Sequence, residues 1–295
     1  MSQMSDYVRR TFKENDDIRD AGLTTPDDVV RYDDICYGTD TKWQMLDVYR
    51  PKEKAGETLP VIVSVHGGGW VYGDKELYQF YCMSLAQRGF AVVNYTYRLA
   101  PEFQYPSSLE DTNLVFAWVM KHAEEYGMDT KNVFAVGDSA GGNLLGIYAA
   151  VLTNAEYAAQ YPFRVPEGLK LNAAALNCGV YDVAMAGDEN EMRRELMKDL
   201  LPEKGSEREL ALISPVNHVT ENYPPVFLMT AVNDFVKMQA PAMAEKLAEK
   251  NVPFTFKLYG DKDNRLPHVF HLNMRCVEGA VCNDEECAYF REHMR

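Results

Sequence analysis

Hydrophobic and polar positions along this chain follow two periods that take turns. Leu59-Pro60-Val61-Ile62-Val63-Ser64-Val65 is apolar almost without a break, the pattern of a strand buried on both faces. Ala91–Tyr97, Val133–Val136, Leu171–Asn177, Pro225–Thr230 and Phe254–Tyr259 read as further strands. Helical stretches separate them: one ending near Arg88, one from Ser108 to about Tyr126, one over Ala140–Leu152, one over Pro241–Asn251, and a closing helical region over Asn273–Arg295. Ser108-x-x-Asp111 has the spacing of a capping box. Such alternation is the signature of a mostly parallel sheet with helices on both faces, an α/β fold. Ahead of it, Ile35-Cys36-Tyr37 and Trp43–Tyr49 flank Gly38-Thr39-Asp40 and predict an antiparallel hairpin. Residues 1–34 read as an N-terminal arm, with Thr25-Pro26-Asp27-Asp28 as a turn leading into a first helical turn. The charged segment 181–224, carrying Met185, Met192 and Met197, predicts short helices over the sheet's carboxyl edge. No Gly/Ser/Pro-rich linker divides the chain, so residues 1–295 are expected to form a single domain, with 1–34 and 181–224 together making a small cap.

Composition narrows the partners. Of 295 residues, 46% are hydrophobic and 25% charged, and the formal net charge is −14. That balance argues against nucleic acid and anionic membranes. The first residues have no secretory h-region and no stretch is apolar enough to span a bilayer, which leads to a cytoplasmic expectation. Six cysteines stand without C-x-x-C spacing and read as free thiols. Cys276, Cys282 and Cys287 gather near His268 and His271, but known zinc patterns pair their ligands more tightly.

The chemistry starts at Gly137-Asp138-Ser139-Ala140-Gly141, where a buried strand breaks into small residues and then into a helix that is apolar nearly all round. This is G-x-S-x-G in the strand-turn-helix context it needs. Ser139 becomes a candidate nucleophile, and the Ala140 amide a candidate oxyanion donor. A second buried strand runs into His66-Gly67-Gly68-Gly69. Three successive glycines cost backbone entropy and point to a close approach by backbone; the Gly67 and Gly68 amides are the expected partners of Ala140, and His66 a brace for the loop. Neither G-x-x-x-x-G-K-[ST] nor G-x-G-x-x-G is present, so a nucleotide site is weak.

In order along the chain, His66-Gly67-Gly68-Gly69, Tyr97-Arg98-Leu99-Ala100-Pro101-Glu102, Gly137 to Asn143, Ser214-Pro215 and His268-Val269-Phe270 resemble the landmarks of the α/β-hydrolase superfamily, in the branch similar to hormone-sensitive lipase and bacterial esterases. The resemblance implies an eight-stranded, mostly parallel sheet, and a carboxylesterase without metal or organic cofactor. Chain order in these hydrolases is nucleophile, acid, histidine. The resemblance therefore implies Asp234 as acid, with Asp261 and Asp263 as runners-up, and His268 as base, with His271 as the alternative. Many relatives carry glycine after the catalytic histidine; here the residue is Val269.

The expected reaction is two-step acyl transfer. Trp70, Tyr72 and Phe235 adjoin the motif residues and are expected to crowd the pocket, favouring acetyl to butyryl esters; deacetylation of carbohydrate fragments rests on analogy alone. The expected partner is a small-molecule ester, and a homodimer is compatible with the chain. An amidase, formamidase or peptidase on the same triad, and an inactive binding protein on the same fold, are the rival readings.

Overall fold

The computed structural model describes residues 2–186 and 190–295. Helix α1 (Gln3–Asp20) is followed by the antiparallel pair β1 (Val29–Cys36) and β2 (Met45–Pro51). Then come β3 (Leu59–Val65), α2 (Lys75–Gln87), β4 (Ala91–Tyr95), α3 (Ser107–His122), β5 (Met128–Asp138), α4 (Ala140–Thr153), the short α5 (Ala155–Ala158) and β6 (Ala173–Asn177). Helices α6 (Glu191–Leu200) and α7 (Glu207–Leu212) precede β7 (Val226–Ala231), α8 (Gln239–Glu249), β8 (Phe254–Tyr259) and α9 (Val277–Glu292). The eight strands form one sheet in the order β1-β2-β4-β3-β5-β6-β7-β8. β2 runs antiparallel to β1 and β4, and every other pairing is parallel. This is the α/β-hydrolase fold.

Burial explains the central strands. In β3 only Pro60 escapes full burial, and every residue of β4, β6 and β7 is buried, because helices cover both faces and leave no solvent side for polar positions. Helix α4 is buried from Ala140 through Val151. A helix apolar all round is stable only inside a core, and this one lies against the ends of β3, β5 and β6. The consequence for function is that the carboxyl ends of the middle strands, where loops emerge, form a rigid floor.

Three local expectations change. β1 begins at Val29, inside the stretch expected as arm, and Asp27 and Asp28 form a turn that feeds the strand rather than a helix. The Ser108/Asp111 pair is no capping box. Helix α3 starts a residue earlier after Pro106, without a side-chain cap, and Asp111 instead accepts from the Arg98 backbone amide (2.7 Å) and the Gln44 side chain (2.7 Å). A buried carboxylate satisfied by a long-range guanidinium and amides is not available for a local cap.

The last helix is tied to the sheet by a buried acid. Glu286, 0% exposed, accepts from the Tyr81 hydroxyl (2.9 Å) and the Asn177 side-chain amide (2.6 Å). Burial pushes its carboxyl up to about 7, against the pull of those two donors. A carboxyl whose native pKa lies above its unfolded value keeps its proton in the native state across that interval, so its contribution to stability falls as pH rises from about 4.5 to about 7. Glu286→Gln removes that slope, and Asn177, whose Oδ1 has no donor, can turn its amide to meet the new one. Urea denaturation is expected to show the variant gaining on the wild type between about pH 5 and pH 8, by roughly 2–3 kcal/mol.

Candidate active site

Strand β5 ends in a sharp turn at Ser139. Ser139 has φ 51° and ψ −119°, a backbone region that costs a non-glycine residue on the order of 1–3 kcal/mol and persists only where its surroundings over-determine it. Here they do. The Ser139 amide donates to Asn177 O (3.1 Å), while its carbonyl accepts from Asn143 N (3.1 Å) and Val180 N (3.3 Å). The first turn of α4 presses on the end of β3: a Cβ on Gly141 would lie 2.1 Å from Val65 O and 2.5 Å from His66 O. The helix thus reaches the sheet only because that position has no side chain, and the serine hydroxyl is turned outward at the helix N-terminus.

The three residues expected as nucleophile, base and acid meet there. His268 Nε2 lies 3.0 Å from Ser139 Oγ, and its Nδ1 lies 2.7 Å from Asp234 Oδ1. With Asp234 as acceptor the neutral imidazole carries its proton on Nδ1, which leaves the lone pair of Nε2 facing the serine hydroxyl. Asp234 is 3% exposed. Burial by itself would raise its carboxyl, but the bond to His268, the attraction of that ring, the Val236 amide (2.9 Å) and the Thr230 hydroxyl (2.8 Å) hold it below the usual carboxylate range. The acid is therefore a fixed anion behind the ring. Asp261 instead receives the amides of Asp263 and Asn264 on the surface. His271 is fully buried, and burial lowers it to about 3. Val269 adopts the left-handed conformation (φ 49°, ψ 33°), costly for a β-branched residue; the histidine loop keeps the backbone that a glycine takes freely. Cys178 Sγ lies within 4.8 Å of the ligand atoms of Asp234 and His268, a neighbour that reading by motif did not find.

The glycine loop departs from expectation at one residue. The Gly67 amide donates to the Tyr78 hydroxyl (2.8 Å), so it is not available to an oxyanion. The amides of Gly68 and Gly69 have no protein acceptor among the described residues, nor does that of Ala140, which opens α4 and has no carbonyl one turn back. Gly69 therefore has an open amide that sequence reasoning did not single out, although it is the third glycine of the run. His66 braces this loop as expected. Its Nδ1 lies 2.7 Å from Gly67 O, its ring stacks on Tyr97 at 3.9 Å, and burial lowers it to about 4, so it is neutral.

Two chambers meet at Ser139. The larger, about 450 Å³, has Phe12, Asn15, Asp16 and Arg19 of α1 on one wall and Tyr72 and His268 on others. The smaller, about 70 Å³, is closed by Val8, Phe12, Trp70, Val180, Met192 and Leu196. The three aromatics expected to crowd the pocket divide between them. Trp70 is buried, lines the small chamber and donates to Asn143 Oδ1 (3.2 Å). Tyr72 lines the large one and donates to Asp16 Oδ2 (3.0 Å). Phe235, although 69% exposed, lines both chambers, its ring 4.4 Å from that of His268.

The BD-FAE family model matches residues 46–267, from β2 to the residue before His268. The chain belongs to the BD-FAE family. It is 28% identical over 223 residues to Esterase LipC of Mycobacterium tuberculosis, covering 72% of this chain and 54% of that protein. It is 34% identical over 125 residues to human hormone-sensitive lipase, covering 42% of this chain and 11% of that protein. Esterase B from Lactobacillus rhamnosis, solved with a C4-C4 SN3 tributyrin phosphonate, superposes with a TM-score of 0.91 at 25% identity, over 100% of this chain and 97% of that one. The chain spans about half the length of the curated relatives it matches first. Together these matches set the chain in the hormone-sensitive-lipase-like branch of the α/β-hydrolases. Among the described residues no helix is long and apolar enough to cross a membrane.

Gly141→Ala is expected to drive two backbone carbonyls and the helix apart and to cost about 3 kcal/mol or more, with the serine displaced and activity lost. Gly56→Ala, with φ 85° but nothing within 4 Å of the added carbon, is expected to cost about 1 kcal/mol. Urea midpoints of the two variants check the contrast.

Proposed function

We propose that this chain is a serine carboxylic-ester hydrolase acting on short-acyl esters, acetyl to butyryl, through an acyl-enzyme on Ser139. The observation that carries the reading is the continuous chain Ser139 Oγ–His268–Asp234, at 3.0 and 2.7 Å, opening onto a chamber of about 70 Å³. Ser139 Oγ attacks the ester carbonyl carbon while its proton passes to His268 Nε2, and the anion of Asp234 stabilises the imidazolium so formed. The carbonyl oxygen, now negative, is received by the amides of Gly68, Gly69 and Ala140, with the N-terminus of α4 behind them. Collapse breaks the bond to the alcohol oxygen, which takes the proton from Nε2 and leaves. Water then attacks the acyl-enzyme, giving its proton to Nε2, and the second collapse returns that proton to Ser139 Oγ and frees the acid.

Chamber size and lining support the division of the substrate. The small apolar chamber suits an acyl group of a few carbons. The large one is mostly apolar, with Asn15, Asp16 and Tyr72 as polar points on its walls; it has room for a bulky alcohol with a few hydrogen-bonding groups, and acetylated carbohydrate fragments are one class to try. Inhibition of the structurally similar esterase B by a tributyrin phosphonate, a short-acyl ligand, is in line with this reading.

Two measurements test it. Intact mass after a fluorophosphonate is expected to rise by one adduct on the wild type and not on Ser139→Ala; an unlabelled wild type overturns the nucleophile. In a p-nitrophenyl ester series, turnover is expected to peak at acetyl to butyryl. Leu196→Ala, which removes a wall of the small chamber, is expected to move that peak to longer acyl chains, whereas an unmoved peak assigns the acyl group elsewhere.

A further inference from the structure

One buried acid takes no part in the chemistry above. Asp138, the last residue of β5 and next to the nucleophile in sequence, is 3% exposed. Its Oδ2 accepts from the Tyr78 hydroxyl at 2.9 Å, and the same hydroxyl accepts from the Gly67 amide at 2.8 Å. Tyr78 lies on α2, so three elements meet in this chain of two hydrogen bonds. A backbone N–H can only donate, so the tyrosine oxygen accepts from Gly67, and its own proton is directed at Asp138 Oδ2. The fit is tight as well: a Cβ on Gly67 would fall 2.6 Å from Asp138 Oδ2 and 3.0 Å from both Asp138 O and Tyr78 Oη. The loop therefore has no room to slide toward the elbow, and the Gly67 amide cannot rotate toward the pocket without abandoning a buried phenol.

We propose that Tyr78 and Asp138 are positioning residues of the oxyanion loop: the elbow's own aspartate holds the tyrosine that fixes Gly67, and so sets the Gly68 and Gly69 amides at a defined place relative to Ser139. The proposal rests on the acyl-transfer reading of Ser139. Its physical basis is that oxyanion donors act by preorganisation. A loop anchored only at its ends would have to be ordered by each substrate, and a displacement of about 1 Å costs on the order of a hundredfold. Here the anchor lies on the same strand as the nucleophile, so donors and nucleophile share one frame.

The test compares Tyr78→Phe, Asp138→Ala, Asp138→Asn and the double variant Tyr78→Phe/Asp138→Ala, with kcat and KM for p-nitrophenyl acetate expressed per fluorophosphonate-labelled site. Tyr78→Phe and Asp138→Ala are expected to lower kcat about 10- to 100-fold with KM within about threefold. Asp138→Asn, whose amide oxygen still accepts from Tyr78, is expected to recover most of that loss. The double variant is expected to be no worse than the poorer single one, because both changes break one chain. Counting only labelled sites removes molecules that failed to fold, so a role confined to stability would lower the labelled fraction and leave kcat per site at the wild-type value; that result overturns the proposal. So does a loss in Asp138→Asn equal to that in Asp138→Ala, or strict additivity in the double variant. A wild type that takes no label ends the acyl-transfer reading and this inference with it, whereas a labelled wild type with unaffected variants ends the inference alone.

Discussion

The contact on which the site depends is the approach of Gly141 to the carbonyls of Val65 and His66. It brings the start of α4 onto the end of β3, and Ser139 and the glycine loop are placed by that meeting. Ser139 is carried on the turn entering α4, the glycine loop is the continuation of β3, and the Ala140 amide is the first of the helix. The strain in the Ser139 backbone is tolerable because hydrogen bonds from three directions hold it, and because a fully buried helix cannot shift without disturbing the core of the whole sheet.

Electrostatics follow from the same enclosure. His66, Asp138, Glu286 and His271 are all buried titratable groups, and in each burial is the largest influence, moving the two imidazoles down and the two carboxyls up toward their neutral forms. Asp234 alone of the buried groups close to the serine is drawn the other way, and it is the one with three donors converging on it. The low dielectric that neutralises its neighbours makes that single retained charge count for more at the imidazole.

Much of this was legible beforehand because the signals were local. A doubly buried strand announces itself by unbroken apolar residues, as in Leu59–Val65, and an elbow by its small residues. The parts that were not legible depend on partners far away in sequence. Nothing in Ser108-x-x-Asp111 says that Asp111 answers to Arg98 and Gln44. Nothing around His66 says that Tyr78, on the next helix, claims the Gly67 amide and leaves those of Gly68 and Gly69 without a protein acceptor among the described residues. The strand starting at Val29 was obscured by acidic residues that an edge strand with an exposed face tolerates. The rank of His268 over His271 came from resemblance, and the physical reason for it, that one ring faces the serine and the other is sealed in the core, exists only in three dimensions.

Helix α1 walls both chambers, yet it is fastened to the body largely by polar contacts at its rim: Arg9 to Glu102 (2.6 Å) and to Val71 O (2.7 Å), Ser5 to Asp199 (2.5 Å), and Arg275 to the carbonyls of Arg19 and Ala21 (2.5 Å each). Within it only Ser5 and Val8 are buried. Such an attachment separates two kinds of heredity. The backbone of the elbow and of the glycine loop is packed into the core, where a change of volume is felt at once, whereas the inward stripe of α1 can drift residue by residue at little cost to folding. Reshaping of the two chambers therefore has a low-cost route through the first helix, with the packing around Ser139 left intact.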